Sequence, residues 1–320
     1  MSNLNLSDIE NIEFWRSLNP GLNISDTPFQ NNTAPCTLDP DMQSRLRQQM
    51  IDEGYFQTPE VLNKNDISVL RDVVVKLNSG NIMPLFAALY DEFWILLHSL
   101  RDTFTPFLQN DYRLVPDFWI WHIDADDQSS GWKPHRDGSM EFDSIRDDGT
   151  PTLCTAWIAL SDIETSNSCM YVLPRKYDVI FQDFARKRAG VPGIENAKDV
   201  PIPLTRIRAL PINAGAIIGW DTNLFHWGSG SSKWAIDPRI SIGVYYQAAD
   251  AKETGKPFNS EKKCFVDYSK PDFELTFENR LVIIANIINN YAHKFDIDGE
   301  VEKGFTAEIK SFQEKWCWKG

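Results

Sequence analysis

Histidine and cysteine are both scarce in this chain, with five of each among 320 residues. The cysteines, Cys36, Cys154, Cys169, Cys264 and Cys317, are odd in number and widely spaced. No CxxC pair occurs, which argues against a zinc ribbon or a dithiol redox motif, and the odd count argues against a disulfide framework. Cys154 and Cys169 fall in apolar, strand-like runs and are expected to be buried thiols. Positive charge is also short: 32 Lys and Arg stand against 45 Asp and Glu, a formal net charge of −13. An acidic chain without basic clusters argues against a nucleic acid or an anionic membrane as partner. No apolar run approaches the roughly 20 residues of a membrane span. Met1–Asp8 shows no basic segment followed by an apolar one, so no secretory leader is expected. A cytoplasmic protein acting on a small molecule is the simplest expectation.

What the chain has is apolar and aromatic mass. Hydrophobic residues make up 42% and aromatic ones 12%, with 11 Trp. That is enough for a large core, and it fits packed β-structure around a ligand cavity. Residues 1–40, rich in Asn, Pro, Ser and Thr, read as an irregular arm. Helical spacing begins at Asp41 (Met42, Leu46, Met50), stops at Gly54, and resumes over about Asp66–Leu77. A third helix is expected from Pro84, with Leu85, Leu89, Phe93, Leu96 and Leu100 on one stripe. From Tyr112 the period shifts towards two. Short β-like runs follow at Asp117–Ile123, Leu153–Leu160, Cys169–Leu173, Arg206–Leu210, Ala216–Trp220 and Arg239–Gln247, separated by Gly, Pro, Asn or Asp. A core helix bearing Phe277, Leu281, Ile284, Ile288 and Tyr291 and a last short helix near Ala307–Lys315 close the chain. The fold expected is mainly β with helical decoration, an α+β chain around a jelly-roll core. One catalytic domain over 41–320 is expected: helices at 41–110, core at about 111–247 and C-terminal helices at about 271–316.

The chemistry is concentrated in Lys133-Pro134-His135-Arg136-Asp137-Gly138. In an extended backbone residues i and i+2 share a face, so His135 and Asp137 would present an imidazole and a carboxylate to one point. That is two-thirds of the 2-His-1-carboxylate site of non-haem Fe(II) oxygenases. A second histidine would have to be His98, His122, His226 or His293. His98 lies in a helical stripe and reads as a core residue; His122 lines a cavity or is an ordinary strand residue. His226 opens a strand after a Gly turn, an apolar strand and a polar turn. Thirteen residues later Arg239 and Ser241 again share a face and offer a guanidinium and a hydroxyl to one spot. Arginine is the side chain suited to bidentate capture of a carboxylate. Each residue has a plainer reading, His226 as a buried strand residue and Arg239 as a surface ion pair. In this order and in a β-rich frame they read as a metal triad with a carboxylate anchor. Arg136, between two ligands, should point away into an ion pair. Trp132, Trp157, Trp227 and Trp234 wall the site or belong to the core, with Trp157 and Trp227 nearest the motifs.

From about Trp119 to Gln247 the chain resembles the phytanoyl-CoA dioxygenase-like branch of the Fe(II)/2-oxoglutarate oxygenases. Trp132–Asp137 matches the proximal metal motif. Trp157–Asp162 followed by Asn167–Pro174 matches a strand pair, and His226-Trp227-Gly228 with Arg239-Ile240-Ser241 matches the distal half. The resemblance implies a double-stranded β-helix (cupin-like) core. It implies Fe(II) held by His135, Asp137 and His226, with 2-oxoglutarate held by the metal and Arg239, aided by Ser241 and Trp157. It also implies oxidation of a C–H bond of a small organic metabolite by O2, giving succinate and CO2. Hydroxylation is the default; desaturation or ring closure use the same centre. Residues 1–110 and 250–320 lie outside the resemblance. A non-catalytic cupin-like module that binds metal and a small ligand is the alternative, and Arg239 with Ser241 speaks against it. Segments 138–152, 175–205 and 228–238 are expected to set the substrate, with 175–205 as a lid. Their scattered Arg146, Arg175, Lys176 and Lys233 favour a small, carboxylated metabolite of secondary metabolism.

Overall fold

Residues 239–248 alternate small or polar side chains with apolar ones, and the alternation builds a strand with two unlike faces. Ile240, Ile242, Val244 and Tyr246 enter the main hydrophobic core, whereas Arg239, Gly243 and Tyr245 line a cavity on the other side. The same split recurs at 153–159: Cys154, Ala156 and Ile158 join the core, and Thr155 and Trp157 face the cavity.

The computed structural model describes residues 4–25, 36–109, 111–125, 131–252, 275–297 and 307–317. In chain order the elements are α1 (Leu6–Ile9), α2 (Ile12–Leu18), α3 (Pro40–Glu53), β1 (Tyr55–Gln57) and α4 (Lys64–Ser79). After a 3-10 turn at Pro84–Leu89 come α5 (Asp91–Ser99), α6 (Arg101–Leu108), β2 (Tyr112–Ile123), β3 (Leu153–Ala159) and β4 (Met170–Leu173). Then follow α7 (Val179–Arg188), β5 (Arg208–Leu210), β6 (Ile217–Asp221), β7 (Phe225–Gly228), β8 (Arg239–Ala248), α8 (Phe277–Ile297) and α9 (Ala307–Trp316). The strands form two antiparallel sheets, one in the order β1-β6-β3-β8-β2 and one in the order β5-β4-β7.

Several expectations are corrected. The chain is mixed rather than mainly β, since more of its described residues lie in helices than in strands. The reason is coverage: the outer face of the large sheet is apolar and needs a full helical layer. Residues 4–25 are not irregular. They form α1 and α2, and Trp15 and Ile9 are fully buried in the core that runs on to Phe312. The helix expected from Pro84 is broken into three. Tyr90 is extended at φ −90°, ψ 145°, and Arg101–Leu108 continues beyond a joint at Leu100. β1 is too short, at three residues, for periodicity to reveal it. The remaining strands and the C-terminal helices fall within a few residues of where the pattern put them. No helix among the described residues is long and apolar enough to cross a membrane. Cys154 and Cys169 are buried, as expected, and burial pushes both thiols up. Cys264 lies outside the described residues.

Candidate active site

His135 and Asp137 do not sit in a strand. The segment Gly131–Ser139 is irregular and is joined to β7 of the small sheet by a bridge between His135 and His226 and by Gly228 N–H to Trp132 O at 3.4 Å. Each of these histidines donates its backbone N–H to the other's carbonyl at 3.0 Å. Gly138 N–H then bonds Thr222 O at 2.8 Å, and a Cβ on Gly138 would come within 2.9 Å of Thr222 Oγ1, so this close approach requires glycine. The two motifs, 89 residues apart, are therefore fastened backbone to backbone.

Their side chains converge. Asp137 Oδ1 lies 3.3 Å from His135 Nε2 and 3.7 Å from His226 Nε2, and ligand atoms of all three lie within 4.8 Å of one another. His135 Nδ1 is 2.6 Å from Lys133 O, and His226 Nδ1 is 3.0 Å from Leu224 O. A carbonyl only accepts, so both Nδ1 atoms carry the proton and both Nε2 lone pairs face Asp137, the arrangement a metal requires. Burial pulls His226 below the usual imidazole range, against the raising effect of Asp137, and so favours the neutral ligand form. Burial alone would raise the Asp137 carboxyl. The electrostatic pull of the two imidazoles, His226 first and then His135, with the hydrogen bond from Trp220, outweighs it and lowers the group below the usual carboxylate range. The oxygen turned away from the histidines, Oδ2, accepts from Thr155 Oγ1 at 2.8 Å and Trp220 Nε1 at 2.9 Å, which leaves Oδ1 for a cation.

The triad opens on a cavity of about 50 Å3 between the two sheets, walled by Trp121, Trp132, Trp157, Tyr245 and Tyr291 and closed at its far end by Arg239. Arg239 is 2% exposed. Its Nη1 donates to Ser168 O at 2.9 Å and Ser168 Oγ at 3.1 Å, and its Nε has no partner. The guanidinium lies over the rings of Trp121 and Trp157, 5.5 and 5.7 Å from their centroids. No carboxylate pairs with it among the described residues, and burial pulls it down to about 9 from its ordinary value. Gly131, at φ 69°, passes directly above: a Cβ there would meet Arg239 Nη2 at 2.9 Å. Ser241, fully buried on the same face of β8, has an Oγ without a partner. A cation and a set of metal-ligating atoms thus face one space, with the Ser241 hydroxyl on the same strand face two residues from Arg239, and Arg239 Nε and Ser241 Oγ lack partners that burial demands. The donor set and these orphaned atoms fit a divalent metal and a small dicarboxylate.

The candidates separate as follows. His135, Asp137, His226, Arg239 and Trp157 are brought together, with Ser241 beside them. Trp227 is not: it stacks on Tyr171 with 5.9 Å between centroids, because His226 faces inward and its strand neighbours face out. Trp234 is 76% exposed and walls nothing. His122 points away from the cavity that Trp121 lines. His98 is buried in α5, and the His293 side chain lies outside the described residues. Arg136 behaves as expected, pairing with Asp178 at 2.6 Å and donating to Asn223 O. Sequence reading missed Thr155 and Trp220, the groups that hold Asp137, and missed Trp119, Trp121, Tyr245 and Tyr291. The i, i+2 series Arg239-Ser241-Gly243-Tyr245 could have supplied Tyr245, and parity with Trp157 could have supplied Thr155. The helical pattern marks Tyr291 only as a core residue; α8 brings it from the C-terminal part of the chain to the cavity, where it hydrogen-bonds Tyr245.

Residues 97–234 match the family model described as Phytanoyl-CoA dioxygenase (PhyH). The match contains His135, Asp137 and His226 and bears out the resemblance read from the sequence. No curated protein sequence matches the chain. Among solved structures, the non-heme monooxygenase ThoJ in its Ni complex is similar at a TM-score of 0.52 and 12% identity, over 78% of this chain and 99% of that one. The epimerase SnoN, in complex with Fe3+, alpha ketoglutarate and nogalamycin RO, is similar at 0.47 and 17% identity, over 66% and 85%. EctD from S. alaskensis in its apoform gives 0.45 and 15%, over 77% and 89%. The ThoJ likeness is one of fold.

Proposed function

We propose that the chain is an Fe(II)/2-oxoglutarate-dependent oxygenase that oxidises a C–H bond of a small organic molecule with O2. Its two sheets would be the halves of a double-stranded β-helix, working with the helices as one catalytic domain in the cytoplasm. The observation that carries this reading is Arg239, a buried guanidinium without a carboxylate, facing the same cavity as three convergent metal-ligating atoms. A non-catalytic binder of metal has no use for that second, costly group.

In this reading His135, Asp137 and His226 hold the iron. Arg239 takes the distal carboxylate of 2-oxoglutarate in a charge-assisted pair, Ser241 Oγ donates to the same group, and Trp157 packs on the chain between. Bound iron with 2-oxoglutarate supplies the oxidising power drawn from O2 and leaves succinate and CO2. The residues of this chain do the rest. Lys133 O and Leu224 O fix the imidazole tautomers, Thr155 and Trp220 aim Asp137, and the aromatic walls keep water from the reacting centre. Hydroxylation is the default outcome, with desaturation or ring closure as variants of it. Asp137 fills the position at which Gly or Ala would leave room for a halide, so halogenation is outside the proposal. The cavity is small, about 50 Å3, and in this reading Trp121, Trp132 and Tyr291 part to admit 2-oxoglutarate.

The test is O2-dependent release of succinate. Purified chain with Fe(II), 2-oxoglutarate and O2 should release succinate, slowly alone and faster with a substrate, and omission of any one of the three should abolish it. Binding of metal and 2-oxoglutarate with no succinate release under any substrate would favour the cupin-like binding module.

A further inference from the structure

Next to the metal cavity lies a larger cleft of about 730 Å3. The two spaces are consecutive along the same strand faces. On β3, Leu153 lines the cleft where Thr155 and Trp157 line the cavity, and on β8, Gln247 lines the cleft where Tyr245 and Gly243 line the cavity. Residues two apart on a strand share a face, and Gly138 and Thr222 carry the cleft wall to the edge of the triad. Arg239 lies at one end of β8 and the cleft at the other, so the triad stands between anchor and cleft. A volume of this size suits a small-molecule site.

We infer that this cleft is the substrate site, and that it selects an organic molecule that donates hydrogen bonds and carries no negative charge. An amine or a polyol fits; a coenzyme A thioester does not. The inference rests on the oxygenase reading above.

Charge is the first ground. The arginines on the cleft wall are already neutralised: Arg146 pairs with Asp250 at 2.7 Å and Arg188 with Asp147 at 2.8 Å. Glu141 and Asp143 border the same space with no cation on either among the described residues. Lys252 is the one cation of the wall without an ion pair among the described residues, too few for the phosphates of a coenzyme A. Of the other basic residues expected to favour a carboxylated metabolite, Arg175 is spent on Asp221 and Lys176 on Glu53, while Lys233 lies over Trp234 and outside the cleft.

The second ground is Asn223, which lines the cleft and is 1% exposed. Its Nδ2 donates to Ser144 Oγ at 2.8 Å, and its Oδ1 has no partner. The amide cannot be turned round. Ser144 Oγ spends its single proton on Glu141 O at 2.6 Å and so can only accept from Asn223. A carbonyl oxygen thus lies closed off in the cleft wall without a donor, and a substrate N–H or O–H that opens the wall on binding would supply one.

Saturation-transfer NMR on the full chain, without metal or 2-oxoglutarate, tests this with four probes: D-glucosamine, D-glucose, D-gluconate and coenzyme A. Transfer is expected to glucosamine and glucose and not to gluconate or coenzyme A. Asn223→Ala should weaken both donor probes about tenfold, the loss of one buried hydrogen bond. The double variant Glu141→Gln/Asp143→Asn alters solvent-facing groups only and keeps the fold. It should weaken glucosamine alone, about threefold, if the substrate is an amine, and change neither probe if it is a polyol. Equal or stronger transfer to gluconate or coenzyme A, no transfer to either donor, or unchanged binding in Asn223→Ala overturns the inference. Metal and 2-oxoglutarate binding are measured separately, so failure here leaves the oxygenase reading standing, and failure there leaves the selectivity of the cleft intact.

Discussion

At Asp137 a buried carboxylate must stay ionised without being consumed by its neighbours. Thr155 and Trp220 satisfy one oxygen and leave the other to face two imidazole Nε2 atoms. Removing any corner of that triangle leaves an incomplete site. His135→Ala, Asp137→Ala and His226→Ala should each lose Fe(II) binding, measured as metal retained after gel filtration, and wild-type retention by any one would remove that residue from the triad. Arg239 is a different kind of group. Breaking a buried Arg–carboxylate pair from one side costs about 3–5 kcal/mol, so Arg239→Ala should raise the 2-oxoglutarate requirement by roughly two to four orders of magnitude. Iron binding should persist, since Arg239 stands on the far side of the cavity. An unchanged requirement would mean that another residue anchors the co-substrate.

Elements show why part of the site was legible in the sequence and part was not. Among the residues the structure brings together, Arg239 and Ser241 follow strand parity at short range, whereas His135 and Asp137 share a side from an irregular segment with Arg136 turned away between them. Trp227 was misassigned by neglect of the same parity, since it neighbours an inward-facing histidine. Tyr291 depends on how α8 docks against β2 and β8, a long-range event that no local pattern encodes. The segment 175–205, expected as a lid, is fastened at its root. Arg175 pairs with Asp221 at 2.5 Å, Asp178 caps α7 and pairs with Arg136, and Phe181 and Phe184 pack on Ile145. None of it lines the metal cavity among the described residues; Arg188 borders the larger cleft. Arg136→Ala strands the buried Asp178 carboxylate, so it should cost about 3–5 kcal/mol and lower the melting temperature. The same variant should weaken metal binding by loosening the loop between two ligands. A melting temperature equal to that of the wild type would show that α7 is held without this pair. Tryptophans wall the metal cavity, so 2-oxoglutarate added with metal should also change tryptophan fluorescence. An unaltered emission spectrum at saturating 2-oxoglutarate would mean that the aromatic walls do not part.

For the whole molecule, one core joins α1, α2, the helical layer and the outer face of the large sheet, so events at the metal cavity bear on global stability. Buried polar groups without partners, Arg239 Nε and Ser241 Oγ among them, are a cost that a bound dicarboxylate removes. A ligand present at a hundred times its Kd stabilises the native state by about 2.7 kcal/mol, which for a chain of this size is several degrees in melting temperature. The direct measurement is anaerobic calorimetric titration of 2-oxoglutarate into the Fe(II)-loaded chain, with the metal-free chain, Asp137→Ala and Arg239→Ala alongside. One molecule of 2-oxoglutarate should bind per loaded wild-type chain, with binding lost or weakened by orders of magnitude in the other three. Equal affinity without metal or in Arg239→Ala, or no binding to the loaded wild type, would contradict an iron and 2-oxoglutarate centre in this cavity.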